Sequence, residues 1–548
     1  MTPTIDQCEY NLPGPDDAIG VATGAVAGLY RRWALVAVLG CQAAMLLAFH
    51  VSRSWHCAPD SALYMGLARS LAEGDGYTFN GEFHAMVPPL FPLAMAGFMR
   101  VFGSSFLALN CFQIALALAC TPAVFLLMRR IFGRDLGLLA AAAFAFNMEL
   151  WNVASMLLSD LQFTLLAALG MWAAAWAAGN GPARWAAVVL AGLGIAAASL
   201  TRSNGFVIVP GAALAVWLGW RGRPGARLAG VALLATLALA PVIWWQQYVA
   251  AHTSGHEPTY LSASHLSKPL AKMIPAIGGN LFGETFTVAS NLMVGFNDVP
   301  PGLNLILPAL IVIGCLTSLR RGEPMLPLSL VCMVGVLTIV PGVKERYFLF
   351  LYPAMVVFLV VGAVSVGRMA ARWSPSAPRR SLRTALIFLA VAGAIGIGHS
   401  IVRGISYRRG ETPGGSRIPR DQDWFVAARY IRDRHDRGQA GGREALALTS
   451  NERVLFYVGR VRGVPLTRVR EELRAEAFRN MVWDRRPNWL VADMRQPASG
   501  PAVEALRAMG VGLTPVTDAP LLSGTVKMWR MFLPPAGQAA RAATWEGT

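Results

Sequence analysis

The sequence predicts a polytopic α-helical membrane protein of about eleven spans, followed by a soluble C-terminal α/β domain. Three observations carry this reading. The chain of 548 residues is 55% hydrophobic and only 14% charged, whereas soluble proteins carry roughly a quarter charged residues. The deficit is uneven: residues 33–401 hold a succession of long apolar runs, and residues 402–548 have an ordinary charged composition. The basic residues of the apolar part gather in short connections between the runs, which is how membrane proteins set their topology.

Residues 1–32 are polar, with Asp6, Glu9, Asp16 and Asp17, and read as a cytoplasmic segment rather than a signal peptide. The first apolar run, 33–51, follows Arg31-Arg32 and has no small-residue cleavage site, so it reads as an uncleaved first span. A span needs about 20 apolar residues. The candidates are 33–51, 105–128, 135–151, 159–178, 185–201, 205–220, 228–249, 303–319, 325–341, 347–367 and 383–401. Two segments break the succession: a first outer loop at 52–103 and a second at 250–302.

Orientation follows from Arg and Lys. With a cytoplasmic N-terminus, sixteen Arg fall in the inner connections, among them Arg129, Arg130, Arg320 and Arg321. Eight basic residues fall in the longer outer segments before residue 402. Eleven spans then place 402–548 in the periplasm of a bacterial inner membrane. The acids are skewed the other way. Of twelve Asp and Glu in 33–401, only Asp135 and Glu323 lie on the inner side. Acids contribute little to topology, so their collection at the outer face points to a polar cavity there.

The net charge is +17, and 44 of the 48 basic residues are Arg. Nucleic-acid binding does not follow, because these residues sit in the loops that set topology. The seven Cys fall mostly inside apolar runs and form no CxxC, which excludes a disulfide framework and a thiolate metal site. The tail alternates helical patterns at 422–437, 468–482 and 500–509 with short apolar strands at 445–449, 489–493 and 526–533, after a Gly-, Pro- and Arg-rich linker at 402–420. This is the pattern of a small layered domain. It carries no phosphate-binding Gly loop and no zinc motif, so no chemistry is expected in it.

The first outer loop is the most informative stretch. Asp60 opens a helical pattern in which Tyr64, Leu67, Ala68 and Leu71 recur, and it suits the N-cap. The same residue fits a purely structural cap. Asp160 opens the fourth span, where an acid beside an apolar run is costly and marks a functional candidate. Arg346 and Tyr347 open the tenth span. They fit interfacial anchors as well as a phosphate clamp, since Arg offers a planar fork of donors. Arg202, Lys268 and Lys272 are similarly placed. His84 and His265 are lone histidines, for which structural roles are commoner.

In chain order these segments are an Asp after the first span in D-x-x-x-Y, then GDGY, PPLFP, an acid opening the fourth span, TR-x-x-G, and RY-x-x-x-x-YP. The ordered set, over roughly residues 30–400, resembles the GT-C glycosyltransferases of the protein-mannosyltransferase and aminoarabinose-transferase type, glycosyltransferase family 39 and its relatives. The resemblance implies a GT-C-like membrane domain at 33–401. It implies transfer of a sugar from a polyprenyl-phosphate donor to a lipid, glycan or protein acceptor outside the membrane, with inversion. Asp60 would then be the base or acceptor-facing carboxylate. Asp160 would hold acceptor, donor sugar or, with Asp60, a divalent cation. Arg346, Tyr347, Arg202 and Lys268 would face the donor phosphate, and Tyr64, Glu82 and His84 would contact substrate. Two positions depart from the pattern. Asp60-Ser61 stands where many members have Asp-Glu, and Val87-Pro88-Pro89 lacks the Lys of the aminoarabinose transferases, which puts that activity in doubt. A secondary transporter would instead place ionisable residues at mid-depth, often in inverted repeats, and a non-catalytic membrane scaffold would tolerate loss of Asp60.

Overall fold

The computed structural model describes residues 24–51, 59–79, 82–179, 181–220, 224–252, 270–295, 299–339, 343–371, 373–374, 376–408, 427–428, 430–434, 446–449, 462–465, 482, 487–494, 499–508, 510–517, 519, 521 and 526–533. They fall into two compact units. The first comprises the described parts of Met1–Ser54, Ala85–Ala94 and Phe102–Arg408. The second comprises those of Trp55–His84, Met95–Val101 and Arg409–Thr548.

The first unit is a helical bundle, and a helix answers each of the eleven apolar runs. Seven are long and apolar enough to cross a membrane: Trp33–His50 within α1 (Gly24–Met45) and its π-helical extension, then α4 (Phe106–Phe132), α8 (Arg184–Thr201), α10 (Pro224–His252), α13 (Pro301–Arg320), α15 (Tyr352–Ala370) and Ala377–Val402 of α16 (Ala377–Arg408). The pair α5 (Arg134–Ala145) and α6 (Met148–Ser155) would make an eighth, bent by 50°. The remaining runs form α7 (Asp160–Ala177), α9 (Ile208–Gly219) and α14 (Met325–Ile339). Between α10 and α13 the second outer loop contains α11 (Leu270–Gly279), a π-helical turn (Asn280–Thr285) and α12 (Phe286–Val294). Helix α3 (Leu90–Phe102) begins within the PPLFP stretch.

Local chemistry explains several departures from the predicted boundaries. Residues 135–151 do not form one straight helix. Asn147 Oδ1 accepts from the backbone N–H groups of Glu149 at 2.9 Å and Leu150 at 3.4 Å, capping a new helix at Met148. The tenth span starts at Tyr352 rather than Tyr347, because Pro353 is tolerated only in a first helical turn. Residues 345–348 instead form a 3-10 turn. The sixth run likewise opens in a 3-10 turn, Ser203–Val207, before α9. Helix α16 continues to Arg408, which moves the start of the linker past residue 402.

Small residues let the central helices meet. A Cβ on Gly194 of α8 would lie 2.9 Å from Gly170 Cα of α7, and one on Gly170 would lie 3.0 Å from the Ile195 nitrogen. Without a hydrophobic driving force between helices in lipid, such close backbone approach supplies the packing energy. The antiparallel α7–α8 pair therefore brings the first residue of α7 beside the residue that follows α8.

The second unit contains a five-stranded mixed sheet in the order β4–β3–β5–β7–β6, with strands β3 (Leu446–Thr449), β4 (Arg462–Pro465), β5 (Trp489–Asp493), β6 (Gly512–Pro515) and β7 (Val526–Phe532). Strands β4, β3 and β5 run parallel, and β7 is antiparallel to β5 and β6. The core of the sheet packs Leu490, Ala492, Trp529 and Met531 on Ala502, Val503 and Leu506 of α17 (Ser499–Ala508). Three strands and this helix match the sequence reading. Strands β4 and β6 escape it because both are short and carry Gly and Pro, which weaken a strand signal. The predicted helix at 468–482 lies outside the described residues except for Val482. The first-loop part of this unit contains α2 (Pro59–Glu73) and the hairpin β1 (Thr78–Phe79) with β2 (Glu82–Phe83).

Candidate functional site

In the first unit, four of the predicted residues meet. Asp160 stands in the first turn of α7 and is only 1% exposed. One carboxylate oxygen, Oδ1, lies 2.7 Å from Arg202 Nη1, an ion pair in which the Arg side chain keeps 16% exposure. The same nitrogen donates to Ser159 Oγ at 3.4 Å. Arg202 holds an extended backbone between α8 and the 3-10 turn. That turn requires Gly205, since a Cβ there would meet the Ser199 backbone at 2.6 Å. Its guanidinium carbon lies 5.2 Å from the centre of the Tyr347 ring, and that of Arg346 lies 5.6 Å from the same ring. Both are within cation–π range.

The surrounding contacts fix this arrangement. Gln162 Nε2 donates to Thr201 Oγ1 at 3.3 Å, tying the start of α7 to the end of α8. Gln113 of α4 donates to Leu158 O at 2.8 Å and steadies the segment that leads into Asp160. Phe163 packs edge-on against Phe350 with centroids 4.8 Å apart, holding the first turn of α7 against the chain just after Tyr347. The positive end of α7 further favours the Asp160 carboxylate. Asp160 braces Arg202, and Arg202 and Arg346 bring two guanidiniums to the Tyr347 ring, groups whose planar forks suit an anion.

The other predicted group belongs to the second unit. Asp60 falls inside the first turn of α2 rather than at its N-cap, because Pro59 takes the first helical position. Tyr64 lies one turn further on the same helix face. Gly74 and Gly76 adopt φ of 94° and 82°, conformations that only Gly takes readily, and so turn the GDGY segment. Ser70 Oγ donates to Gly76 O at 3.0 Å and lies 2.7 Å from Thr78 Oγ1, fixing the hairpin. Arg100 secures the end of α2 by donating to the carbonyls of Leu71 at 2.9 Å and Ala72 at 3.2 Å. Glu82 is exposed on β2, and His84 is half-buried with its ring 6.3 Å from that of Phe79. Tyr77 was not among the sequence candidates, although it ends the GDGY motif. Burial, then the neighbouring Tyr64 phenol, raises its phenol well above the ordinary 10.0.

Lys268 and His265 lie outside the described residues. Asp60 and Asp160 fall in different compact units. Asp160 is paired with Arg202. Among the described residues no group of three His, Cys, Asp or Glu gathers.

The multispan bundle that carries this arginine–tyrosine–aspartate cluster has the GT-C fold of the solved structures it resembles. Residues 86–245 match the family model described as dolichyl-phosphate-mannose-protein mannosyltransferase. AglB, the archaeal oligosaccharyltransferase of Archaeoglobus fulgidus, in complex with an inhibitory peptide and a dolichol-phosphate, superposes with a TM-score of 0.55 at 12% identity, over 89% of this chain and 73% of its own. ArnT from Cupriavidus metallidurans bound to undecaprenyl phosphate gives 0.51 at 14% identity, over 93% of this chain and 98% of its own, and its apo state gives 0.53. At these identities the likeness is one of fold. No curated protein sequence matches the chain.

Proposed function

We propose that this protein is an inverting glycosyltransferase that moves a sugar from a polyprenyl-phosphate donor to a hydroxyl of a lipid, glycan or protein acceptor. We place the reaction at the periplasmic face of a bacterial inner membrane. The observation that carries the reading is the convergence of Arg202 and Arg346 on Tyr347, with Arg202 braced by buried Asp160. The solved relatives with bound dolichol-phosphate and undecaprenyl phosphate support it.

The chemistry assigns each residue a task. The acceptor oxygen attacks the anomeric carbon as the bond from that carbon to the phosphate oxygen breaks, and the electron pair leaves on the phosphate. Charge on that oxygen grows through the transition state, so guanidiniums fixed beside it lower the barrier. Arg346 and Arg202 supply guanidinium donors, Arg202 being held in place by Asp160. Asp60 accepts the proton of the attacking hydroxyl, a contribution typically of about 10²–10⁴ in rate. Tyr64, on the same face of α2, together with Glu82 and His84, lines the acceptor side. Attack opposite the leaving phosphate inverts the anomeric centre. The tail domain is assigned the orientation of acceptor rather than catalysis.

Transfer of a radiolabelled sugar from a polyprenyl-phosphate donor, in detergent or liposomes, tests this reading. Asp60→Asn keeps shape but removes the base, and is expected to abolish turnover in a folded protein. Arg346→Ala is expected chiefly to raise the donor KM. Full activity of Asp60→Asn would overturn the base assignment, and an unchanged donor KM in Arg346→Ala would overturn the phosphate site.

A further inference from the structure

The turn that presents Arg346 and Tyr347 has little in its own sequence to hold it. It is a four-residue 3-10 turn after an extended Lys344, and 3-10 hydrogen bonds have poor geometry. Its supports come from the second outer loop. Glu284 Oε2 accepts from the Val343 backbone N–H at 3.2 Å, just ahead of the turn. Asn291 Nδ2 donates to Glu345 Oε1 at 3.3 Å, one residue from Arg346. Asn280 Nδ2 donates to the carbonyls of Leu337 at 3.0 Å and Thr338 at 3.1 Å, at the end of α14. Those carbonyls belong to the last turn of a helix, where no intrahelical donor is available.

The three residues are spaced along one short stretch. Asn280 opens the π-helical turn, Glu284 is its fifth residue, and Asn291 lies on α12. Such single π-turns recur at functional sites. Asn280 and Asn291 are buried, at 4% and 7% exposure, so neither is a casual surface contact.

We infer that Asn280, Glu284 and Asn291 are positioning residues that hold the chain leading into Arg346, at the end of α14 and at Val343 and Glu345, and thereby fix where Arg346 and Tyr347 stand. The inference rests on the reading of that turn as the donor-phosphate site. It assigns Glu284 a task as a hydrogen-bond acceptor toward Val343, not as a charge, a base or a metal ligand. The second outer loop then acts on use of the lipid-phosphate donor without touching the acceptor.

Two substitutions at Glu284 separate these roles. Glu284→Gln keeps the length and an acceptor oxygen but loses the charge. Glu284→Asp keeps the charge but shortens the reach. Positioning requires that Gln retain a donor KM within about twofold of wild type. Asp should raise it about tenfold, inside the ~10²-fold that a 1 Å displacement can cost. The acceptor KM stays unchanged in both. Asn280→Ala should likewise raise the donor KM alone. The measurement is initial-rate transfer from a polyprenyl-phosphate sugar by the full chain in detergent, on samples matched for monodisperse elution and thermal midpoint. Gln as impaired as Asp, or Asp indistinguishable from wild type, would overturn the positioning role. Arg346→Ala in the same assay keeps the two claims apart. If its donor KM is unchanged, the phosphate site itself fails; if it rises while Glu284→Asp and Asn280→Ala remain normal, only the brace fails.

Discussion

Removing Arg202 is expected to cost more stability than neutralising its partner, and the asymmetry follows from burial. Asp160 is 1% exposed and Arg202 is 16% exposed on its side chain. Arg202→Ala leaves a carboxylate buried without its counter-charge, which typically costs about 3–5 kcal/mol. The helix terminus beneath Asp160 returns about 0.3–1 kcal/mol of that, so the lower end, about 3 kcal/mol, is expected. Asp160→Asn instead leaves a guanidinium that keeps Ser159 Oγ, the Tyr347 ring and partial access to water. Its expected cost is about 1–2 kcal/mol, the range for one lost charged hydrogen bond. The assay is thermal unfolding followed by tryptophan fluorescence in one detergent, for both single variants and the double variant. The pair predicts strong non-additivity, with a coupling of about 1–3 kcal/mol. Losses that add to within about 0.5 kcal/mol, or a larger loss in Asp160→Asn than in Arg202→Ala, would refute the buried pair.

Other predictions concern the rest of the chain. Burial pushes the Glu323 carboxyl up from 4.5 to about 7, against the opposing pull of Arg130. A raised acid favours its protonated form in the fold, so the protein binds more protons folded than unfolded between those values. Stability should fall as pH rises from about 4.5 to 7 and then level off, by at most about 3 kcal/mol at ~1.36 kcal/mol per pH unit. Glu323→Gln should flatten that profile in unfolding midpoints taken across pH 4–8. Gly314→Ala drives a methyl into the Phe358 carbonyl between α13 and α15, whereas Gly335 faces open space. The first change should cost about 1–3 kcal/mol, and Gly335→Ala in α14 should be neutral or stabilising when midpoints are compared. A phosphatase fused after residue 420 should be active on the outer side of the membrane, as the Arg and Lys distribution requires; activity confined to cytoplasmic reporters would reverse the orientation.

Hydropathy made the helices of the eleven apolar runs legible, because a run such as 303–319 has no other stable home than a helix; α11 and α12, in the second outer loop, were not. It could not show where a run breaks. The bend at Asn147 is a capping event between two apolar halves, and apolar composition is unchanged across it. Asp160, Arg202, Arg346 and Tyr347 were legible as polar residues bordering apolar runs. A shared outer site for Asp160 and Arg346 was legible too; the close α7–α8 approach at Gly170 and Gly194 that sets Asp160 directly against Arg202 was not. Read alone, Asp160 suggests a group that holds acceptor, donor sugar or a cation; its ion pair with Arg202 is not visible in the sequence. The supports at Asn280, Glu284 and Asn291 left no trace in the sequence, since each is a single polar residue whose partner lies more than 50 residues away.

The bend between α5 and α6 has a consequence for how the protein is made. Asn147 uses its oxygen locally, on Glu149 and Leu150, but its amide nitrogen donates to the carbonyl of Leu292 at 3.1 Å, 145 residues later in the chain. At synthesis rates of about 5–20 residues per second, the bend exists for roughly 7–30 s before this partner leaves the ribosome. During that interval the amide sits in a half-built bundle, where a lipid environment offers it no water. The early helices must therefore wait in a provisional arrangement that the arrival of α12 completes, so a chain cut short before Leu292 should be recognised as unfinished by membrane proteases even though most of its apolar runs have been inserted.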